Sequence, residues 1–375
     1  MKTKLAATIL LVMVLGWGCK KNDTYVVPDK EIVLSLKPGK YNPRNSEGDF
    51  ITLKDGRILF VYTHFTGHLD ASDAATAFLA GRYSSDSGRT WTDLDELIVR
   101  RDENSTVMSA SLLRLKNGAI ALFYIRKRSL SDCVPLMQIS YDEARTWSEP
   151  VECITDKQGY FVLNNNRVIQ LPSGRILLPV ALHRTPEDSR WHQKGRLFCY
   201  YSDDNGQTWK SSMEISNPGN VVTQEPGVAL LKNGNIMMLA RTPMNVQYQA
   251  YSRDNGATWG PMGPSKIKSP LSPASITRIP STDDLLLIWN NNDGTNPTIV
   301  GRRTPFNLAL SKDEGQTWEP IKTIGDDPNT WYCYTAIHFV GRFVLLAHCA
   351  GNFSSGDGLT VTNITRIKLS WIYGN

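Results

Sequence analysis

The chain has 375 residues, of which 41% are hydrophobic and 21% are charged, a balance that excludes both a disordered chain and a multi-span membrane protein. The net charge of +5 is evenly spread and includes no Lys/Arg block, so the sequence gives no indication of nucleic-acid binding. The 28 Gly and 20 Pro residues, together with 9% aromatic residues, favour a turn-rich β protein.

The first nineteen residues have the layout of an export signal and are not expected to belong to the fold. Lys2 and Lys4 precede the apolar stretch 5–17, which is too short to cross a bilayer as a stable helix, and Cys19 follows closely. A cysteine at this place, before a polar segment, resembles a bacterial lipoprotein signal in which Cys19 becomes the lipidated N-terminus. The alternative is an ordinary secretory signal with an incidental Cys19, because Trp17 departs from the small residue usual there.

We therefore divide the chain into a signal (1–19), a linker (20–30) and one domain (31–375). The protein is expected to be exported to the outer membrane, the periplasm or the cell surface, and to meet a membrane only through its lipid anchor. The other five cysteines have no CxxC spacing, so neither a disulfide framework nor a zinc site is expected.

Five segments of the domain share the pattern S-x-D-x-x-x-T-W, and we call them Asp boxes. They span residues 84–91, 140–147, 202–209, 252–259 and 311–318. Their tryptophans recur every 50 to 62 residues, a period that suits a four-stranded propeller blade. An Asp that accepts backbone N–H bonds, a Gly and a packed Trp are the chemistry of a hairpin turn, so this repeat specifies structure rather than catalysis.

A second pattern consists of an apolar strand, a tight turn and another apolar strand. It occurs six times, beginning near Phe50, Leu112, Val168, Val228, Ile276 and Ala336. The two patterns together predict an all-β fold, a single six-bladed β-propeller. Residues 31–36 are the candidate for closing the ring against the last blade, since an open ring would expose sheet edges.

Residues just before each hairpin should line the central depression, because the innermost strand of a blade begins there. Counting nine residues back from the turn glycines gives Glu47, Ser109, Asn165, Glu225 and Tyr332. Counting seven back, on the same strand face, gives Asp49, Ser111, Arg167, Gly227 and Tyr334. These side chains are mostly polar, whereas a merely packed channel would be apolar, so the pattern favours a polar ligand site over a solvated channel mouth.

Five Asp boxes on six predicted blades resemble the sialidase (BNR repeat) superfamily, and the similarity covers essentially all of the mature chain. Such boxes also occur in propellers that are not sialidases, so function has to be argued from the site. The resemblance implies an exo-acting glycoside hydrolase that releases a terminal, acidic sugar from glycans. Its site would hold a Tyr nucleophile, a Glu base, an Asp acid/base and an arginine triad for the sugar carboxylate.

Local motifs give candidates for each of these roles, as the resemblance implies them. Tyr334 in WYCYTAI resembles the nucleophile, with Tyr332 as a fallback, and Glu225 in TQEPG resembles its base. Asp73, on a polar connection eleven residues before the first Asp box, matches the place of the acid/base, with Asp70 as the alternative.

Two arginines match the family's carboxylate clamp. Arg241 in MMLART resembles one member of the triad, and Arg303 in GRRTPFNLALSKDEG resembles another, with Arg302 the weaker candidate.

The first blade departs from the family pattern. Glu47 lies near the place of the family's first triad arginine, Arg44 is close but out of register, and His64 and His68 occupy the stretch where the second arginine is expected. Two carboxylates, Glu47 and Asp49, would repel a substrate carboxylate held in the usual way. The sugar is therefore either a different one or an acidic one bound in another orientation. Candidate specificity residues are Glu47, Asp49, Asn165 and Arg167, the last as a replacement cation.

Two other functions remain open. One is a glycosidase or lyase that uses paired carboxylates such as Glu47 and Glu225 on a non-sialic sugar, which the missing arginines favour. The other is a propeller that binds glycans without cleaving them. A glycan is the expected partner of a monomer in each case, with no cofactor, no metal and no nucleic acid.

Overall fold

The computed structural model describes residues 27–67, 70–103, 105–188 and 190–374. Cys19 lies outside these residues, and so do the predicted signal and most of the predicted linker. Almost all regular structure in the described part is β, with one short helix, α1 (Leu369–Tyr373), after the last strand.

The strands group into successive antiparallel units, which we number as blades in chain order after the first strand, β1 (Lys30–Leu36). Blade 1 contains β2 (Asn45–Thr52), β3 (Ile58–Phe65), β4 (Ala77–Ser84) and β5 (Glu96–Val99). Blade 2 contains β6 (Thr106–Arg114), β7 (Ile120–Ser129), β8 (Asp132–Ser140) and β9 (Val151–Glu152). Blade 3 contains β10 (Tyr160–Val162), β11 (Ile169–Gln170), β12 (Ile176–Arg184), β13 (Arg196–Ser202) and β14 (Lys210–Ser211).

The second half of the chain repeats the arrangement. Blade 4 contains β15 (Gln224–Leu230), β16 (Ile236–Arg241), β17 (Val246–Ser252) and β18 (Gly263–Lys268). Blade 5 contains β19 (Ser275–Arg278), β20 (Leu285–Trp289), β21 (Phe306–Ser311) and β22 (Lys322–Gly325). Blade 6 contains β23 (Thr330–Val340), β24 (Phe343–Asn352), β25 (Thr362–Lys368) and β1.

Blades 2 and 3 form one continuous nine-stranded sheet, whereas each of the other blades is a separate sheet of four strands. The link between them is a single parallel pair, Tyr160 beside Cys133, in a structure whose other strand pairs are antiparallel. We divide the sheet at this pair and number its two parts as blades 2 and 3.

The first strand closes the ring, as predicted from residues 31–36. β1 pairs antiparallel with β25, so the N-terminal strand completes the last blade. The strand β2 of blade 1 packs against β23 and β24 of blade 6. Closure is also hydrophobic, because Phe60 and Tyr62 share a buried cluster with Leu345 and Ile364. Apolar surface removed from water at this seam favours the closed ring by about 25 cal/mol per Å².

The Asp boxes are hairpin turns tied by side chains. In the third box, Ser202 Oγ donates to Asp204 Oδ1 at 2.7 Å, and the N–H of Thr208 donates to the same oxygen at 2.9 Å. Trp209 Nε1 donates to the Gly206 carbonyl at 3.1 Å. The same Ser-to-Asp bond recurs in every box, so the repeat has the structural role that its sequence indicates.

In the described part of the chain, no helix has the length and apolar character needed to cross a membrane.

Candidate active site

A β-bulge at the axial end of four inner strands aims one side chain per blade at the centre of the ring. The residues at these bulges have positive φ, 54° at Glu47, 64° at Ser109, 49° at Glu225 and 53° at Tyr334. In each case the strand register shifts there, so that two residues of the inner strand face one residue of its neighbour. A positive φ costs a non-Gly residue on the order of 1–3 kcal/mol, and residues in this conformation are concentrated at functional sites.

The bulge also explains why a fixed count back from the turn glycine fails in the last blade. The hairpin between β2 and β3 spans residues 53–57, whereas β23 and β24 already pair at Val340 and Phe343. The shorter turn moves the bulge two residues closer to the glycine, from the position of Tyr332 to that of Tyr334. Tyr332 instead stacks on Phe306 and lines a separate cavity of about 390 Å³.

The bulge residues open into a cavity of about 230 Å³ at the axis. Its polar lining consists of Glu47, Asp73, Ser109, Asn164, His183, Gln224, Glu225, Arg241, Arg303 and Tyr334. Apolar and aromatic side chains complete the wall, namely Met108, Ile125, Tyr160, Val162 and Trp191. The structure therefore brings together the predicted Tyr334, Glu225, Asp73, Arg241 and Arg303 in one hollow.

Tyr334 and Glu225 are in direct contact although 109 residues separate them in the chain. Tyr334 Oη donates to Glu225 Oε1 at 3.0 Å, and Arg241 Nη1 donates to Glu225 Oε2 at 2.6 Å. The carboxylate is thus held between a phenol and a cation, with both of its oxygens in use.

The electrostatic surroundings fix the protonation of this pair. Burial raises the pKa of Tyr334, and the negative charge of Glu225 raises it further, so the phenol is protonated at neutral pH. Burial would also raise the pKa of Glu225, but the charges of Arg241 and Arg303 outweigh it and lower that pKa. A protonated phenol therefore faces an ionised carboxylate, which is the arrangement that activating a tyrosine by a general base requires.

Arg303 is the lining cation that has no carboxylate partner in the described part of the chain. It is 6% exposed, and its Nε and Nη1 atoms are buried with no acceptor oxygen in hydrogen-bonding distance. Its guanidinium lies 5.3 Å from the ring centre of Tyr334 and 5.0 Å from that of Trp331. The Cys333 thiol lies beside it: burial would raise the pKa of this thiol, but a hydrogen bond with Cys349 and the Arg303 charge lower it. A guanidinium in the cavity lining that has no carboxylate partner suits an anionic ligand group.

The opposite side of the cavity carries a second ionic cluster, in which Arg44 pairs with Glu47 and Asp73. Arg44 is 1% exposed and donates to Glu47 Oε1 at 2.8 Å and to Asp73 Oδ1 at 2.6 Å. Ser109 Oγ donates to the other oxygen of Glu47 at 2.7 Å. Burial raises the pKa of Glu47 to about 7, in spite of the opposing charge of Arg44.

Three predicted specificity residues lie outside the lining of the cavity. Asp49 accepts hydrogen bonds from the backbone N–H groups of Phe50 and Leu112, so it joins blades 1 and 2. Asn165 Nδ2 donates to the carbonyls of Gly48 and Tyr334, at 2.8 and 3.0 Å. Arg167 is buried, with a single side-chain hydrogen bond, to Ser275. Asn165 thus supports the backbone of Tyr334 from behind.

The two candidate acids differ in their positions. Asp73 lines the cavity, its side chain is 60% exposed, and its carboxylate accepts a hydrogen bond from Arg44. Asp70 lies on the same connection but outside the lining, and its carboxylate accepts the backbone N–H of Ser72. Of the two histidines singled out in blade 1, His64 is paired with Asp95, and His68 lies outside the described residues.

Aromatic side chains form one wall of the cavity. His183 and Trp191 stack in parallel with ring centres 5.0 Å apart, and Tyr160 meets Trp191 edge to face at 5.1 Å. Burial lowers the pKa of His183, so its ring is neutral at neutral pH. These residues come from a strand of three residues, a strand end and a loop, where no repeat or hairpin pattern marks a position.

No group of three or more His, Cys, Asp or Glu side chains arranged to hold a metal ion occurs within the ranges described above.

Comparisons with known proteins agree with this fold. Residues 79–343 match the family model of the BNR repeat-like domain. A sialidase of Paraclostridium sordellii is 31% identical over 233 residues, which are 56% of this chain and 55% of that protein. The chain thus spans about half the length of this relative.

Solved structures with the same fold have lower sequence identity. The Hadza microbial sialidase Hz136 superposes with a TM-score of 0.71 at 17% identity, covering 88% of this chain and 67% of its own. A protein of unknown function from Dyadobacter fermentans superposes with a TM-score of 0.69 at 18% identity, covering 91% of this chain and all of its own. At these identities the likeness establishes the fold, a β-propeller of the sialidase type.

The charge balance around Glu225 can be tested directly. We expect the substitution Arg241→Met to raise the pKa of the Glu225 carboxyl. Burial raises this pKa, and the substitution removes one of the positive charges that lower it. Carbon-13 NMR of glutamate-labelled protein measures this pKa, with Glu225→Gln identifying the signal. Arg196→Met is the matched control, since Arg196 pairs with Glu214 at the surface. An unchanged Glu225 titration in the Arg241 variant would contradict the proposed role of the ion pair.

Proposed function

Because the chain belongs to the BNR repeat-like domain family, we propose that it is an exo-acting glycoside hydrolase of the sialidase type, which releases a terminal, acidic sugar from glycans. The observation that carries the proposal is the 3.0 Å hydrogen bond between Tyr334 and Glu225 inside the axial cavity. A glycan-binding surface needs polar and aromatic contacts, but it does not need a buried phenol held by an ionised carboxylate.

In the first step, Tyr334 Oη attacks the anomeric carbon while its proton passes to Glu225 Oε1. The bond from the anomeric carbon to the glycosidic oxygen breaks, and Asp73 protonates the departing oxygen. The product of this step is a sugar bound covalently to Tyr334 and a released aglycone.

In the second step, Asp73, now ionised, accepts a proton from a water molecule that attacks the anomeric carbon. The bond between the sugar and Tyr334 Oη breaks, and the phenolate takes its proton back from Glu225. Two displacements at one carbon retain its configuration. The partial exposure of Asp73 supports its role, because both the aglycone and the water must reach it.

The anionic group of the sugar is proposed to lie against Arg303, the lining cation that has no carboxylate partner among the described residues. The positive charge of Arg241 also attracts this anionic group, although one N–H group of Arg241 donates to the Glu225 carboxylate.

One observation favours a second candidate function. Glu47 lines the cavity with a pKa raised to about 7 by burial, so a sizeable fraction is protonated at neutral pH. A neutral acid opposite the ionised Glu225 is the pairing that glycosidases with two carboxylates use. In that mechanism Glu47 protonates the leaving group, and a non-sialic sugar is the substrate.

We also propose that the enzyme acts at the cell envelope. This rests on the sequence of the leader, in which Cys19 would carry the lipid anchor.

The catalytic pair predicts which tyrosine is essential. We expect Tyr334→Phe and Glu225→Gln to lower kcat by about 100- to 10,000-fold on the sugar that a panel of fluorogenic glycosides, including a sialoside, identifies as substrate. Tyr332→Phe, whose ring lies in the separate cavity, should retain the turnover of the unmodified protein. Circular dichroism and thermal unfolding check that each variant is folded. Unchanged turnover in both Tyr334→Phe and Glu225→Gln would refute the assignment, and binding of glycans without release would identify a binding protein.

The acid can be identified by varying the leaving group. We expect Asp73→Asn to lose most activity on a natural glycan, whose leaving group needs protonation, and much less on a nitrophenyl glycoside, whose leaving group does not. Asp70→Asn is the matched control, because Asp70 lies on the same connection outside the cavity. Steady-state kinetics on the two substrates measure the difference. The opposite result, with selective loss in Asp70→Asn, would assign the acid to Asp70.

A further inference from the structure

The charges around the axial cavity are divided between its two sides. Glu47 and Asp73 lie on the side of blade 1, and Arg241 and Arg303 lie on the opposite side with Glu225. A ligand that carries an anionic group therefore experiences attraction on one side and repulsion on the other.

Arg44, the cation nearest to Glu47, does not compensate for this repulsion, because the chain itself uses its donors. Its Nε donates to Ser46 Oγ at 3.0 Å, and its Nη1 and Nη2 donate to Asp73 and Glu47. One face of the guanidinium also lies over Phe65, 4.4 Å from the ring centre. At 1% exposure, Arg44 is a partner of the two carboxylates and is not directed at a ligand.

Arg303 shows the opposite arrangement. Arg303 is 6% exposed and lines the cavity, but it forms no ion pair with a carboxylate among the described residues. An anionic ligand group in the cavity would supply the partner charge that this buried guanidinium lacks.

The charge of Glu47 depends on its surroundings. Ser109 donates to it from β6, and burial raises its pKa to about 7. Several titratable or charged groups interact with the Glu47 carboxyl. They are Arg44, just before β2, Asp73, between β3 and β4, Tyr160 of blade 3, Glu225 of blade 4 and Cys349 of blade 6.

We infer that Glu47 is a specificity-determining residue, which excludes anionic groups from the blade 1 side of the cavity and so directs the single carboxylate of the sugar to Arg303. The inference rests on the proposed function, since it concerns the substrate of that site. The substrate class that follows is a sugar acid with one anionic group on the side of blades 4 and 5. Hydroxyl or amide groups of the same sugar face Glu47, which accepts their hydrogen bonds.

The experiment compares sugar acids with their uncharged methyl esters. Isothermal titration calorimetry measures the Kd of the methyl glycosides of N-acetylneuraminic acid and glucuronic acid, and of both methyl esters, between about pH 5.5 and about pH 8.5. In the unmodified protein, Glu47 is protonated below about pH 7 and ionised above it. The preference for acid over ester should therefore fall on the order of tenfold as pH rises across this range.

Two variants separate this role from a structural one. Glu47→Gln keeps the shape and the bond from Ser109 but has no charge, so its acid-to-ester preference should change less than about twofold over the same range. Ser109→Ala removes a donor to the carboxylate, which raises the pKa of Glu47 and should move the fall in preference to higher pH. This second variant keeps the test intact if Glu47→Gln fails to fold.

The outcomes distinguish the two claims. Binding of a sugar acid with the same pH profile in the unmodified protein, Glu47→Gln and Ser109→Ala overturns the inference and leaves the proposed function standing. Failure of all four probes to bind overturns both. Loss of turnover in Glu47→Gln, with sugar binding retained and independent of charge, would replace the specificity role by that of the acid in a carboxylate pair.

Discussion

The site depends on the bulge at the axial end of the inner strands. Regular strands would alternate their side chains between the two faces of each blade, and no residue would point along the axis. The bulges at Glu47, Ser109, Glu225 and Tyr334 break this alternation at equivalent places, and their left-handed backbone is held by the strand ladders on either side. Closure of the ring then brings these residues together, because each of these four blades contributes only one of them.

Electrostatic asymmetry gives these converging groups different tasks. Burial raises the pKa of each of Glu47, Glu225 and Tyr334, but nearby positive charges oppose this effect to different degrees. Glu225 lies between two guanidinium groups and is kept ionised, whereas Glu47 shares one guanidinium with Asp73 and has a pKa near 7. Tyr334 has no opposing charge strong enough to ionise it. Arg44 is saturated by two carboxylates, whereas Arg303 lines the cavity without a carboxylate partner among the described residues, and we propose that this difference directs an anion to Arg303.

The sequence predicted the scaffold well because its signals are local and repeated. Asp boxes and hairpins recur with fixed chemistry, and the closing strand was expected at 31–36 and found at Lys30–Leu36. The place of Tyr334, Glu225, Arg241 and Arg303 at the cavity was predicted from local motifs that resemble those of the sialidase superfamily. The distance of a residue from the cavity along the axis was not predictable. Asp49 and Arg167 share a strand face with the site but lie outside its lining, because the alternation of side chains along a strand shows which face a residue is on and not how far it lies from the cavity. The pairing of Arg44 with Glu47 and Asp73 was not predictable either, because Asp73 lies on a connection 29 residues away in the chain.

Covalent trapping at Tyr334 is the most direct test of a phenol activated at the axis. The protein would be incubated with a 3-fluorinated glycosyl fluoride of the sugar that it releases, whose fluorine slows the second displacement more than the first. Intact-mass and peptide mass spectrometry should find one sugar per chain, on the peptide that contains Tyr334, and no adduct in Tyr334→Phe. A stable adduct on Glu47 or Glu225, or inverted configuration in the released sugar, would contradict the tyrosine mechanism.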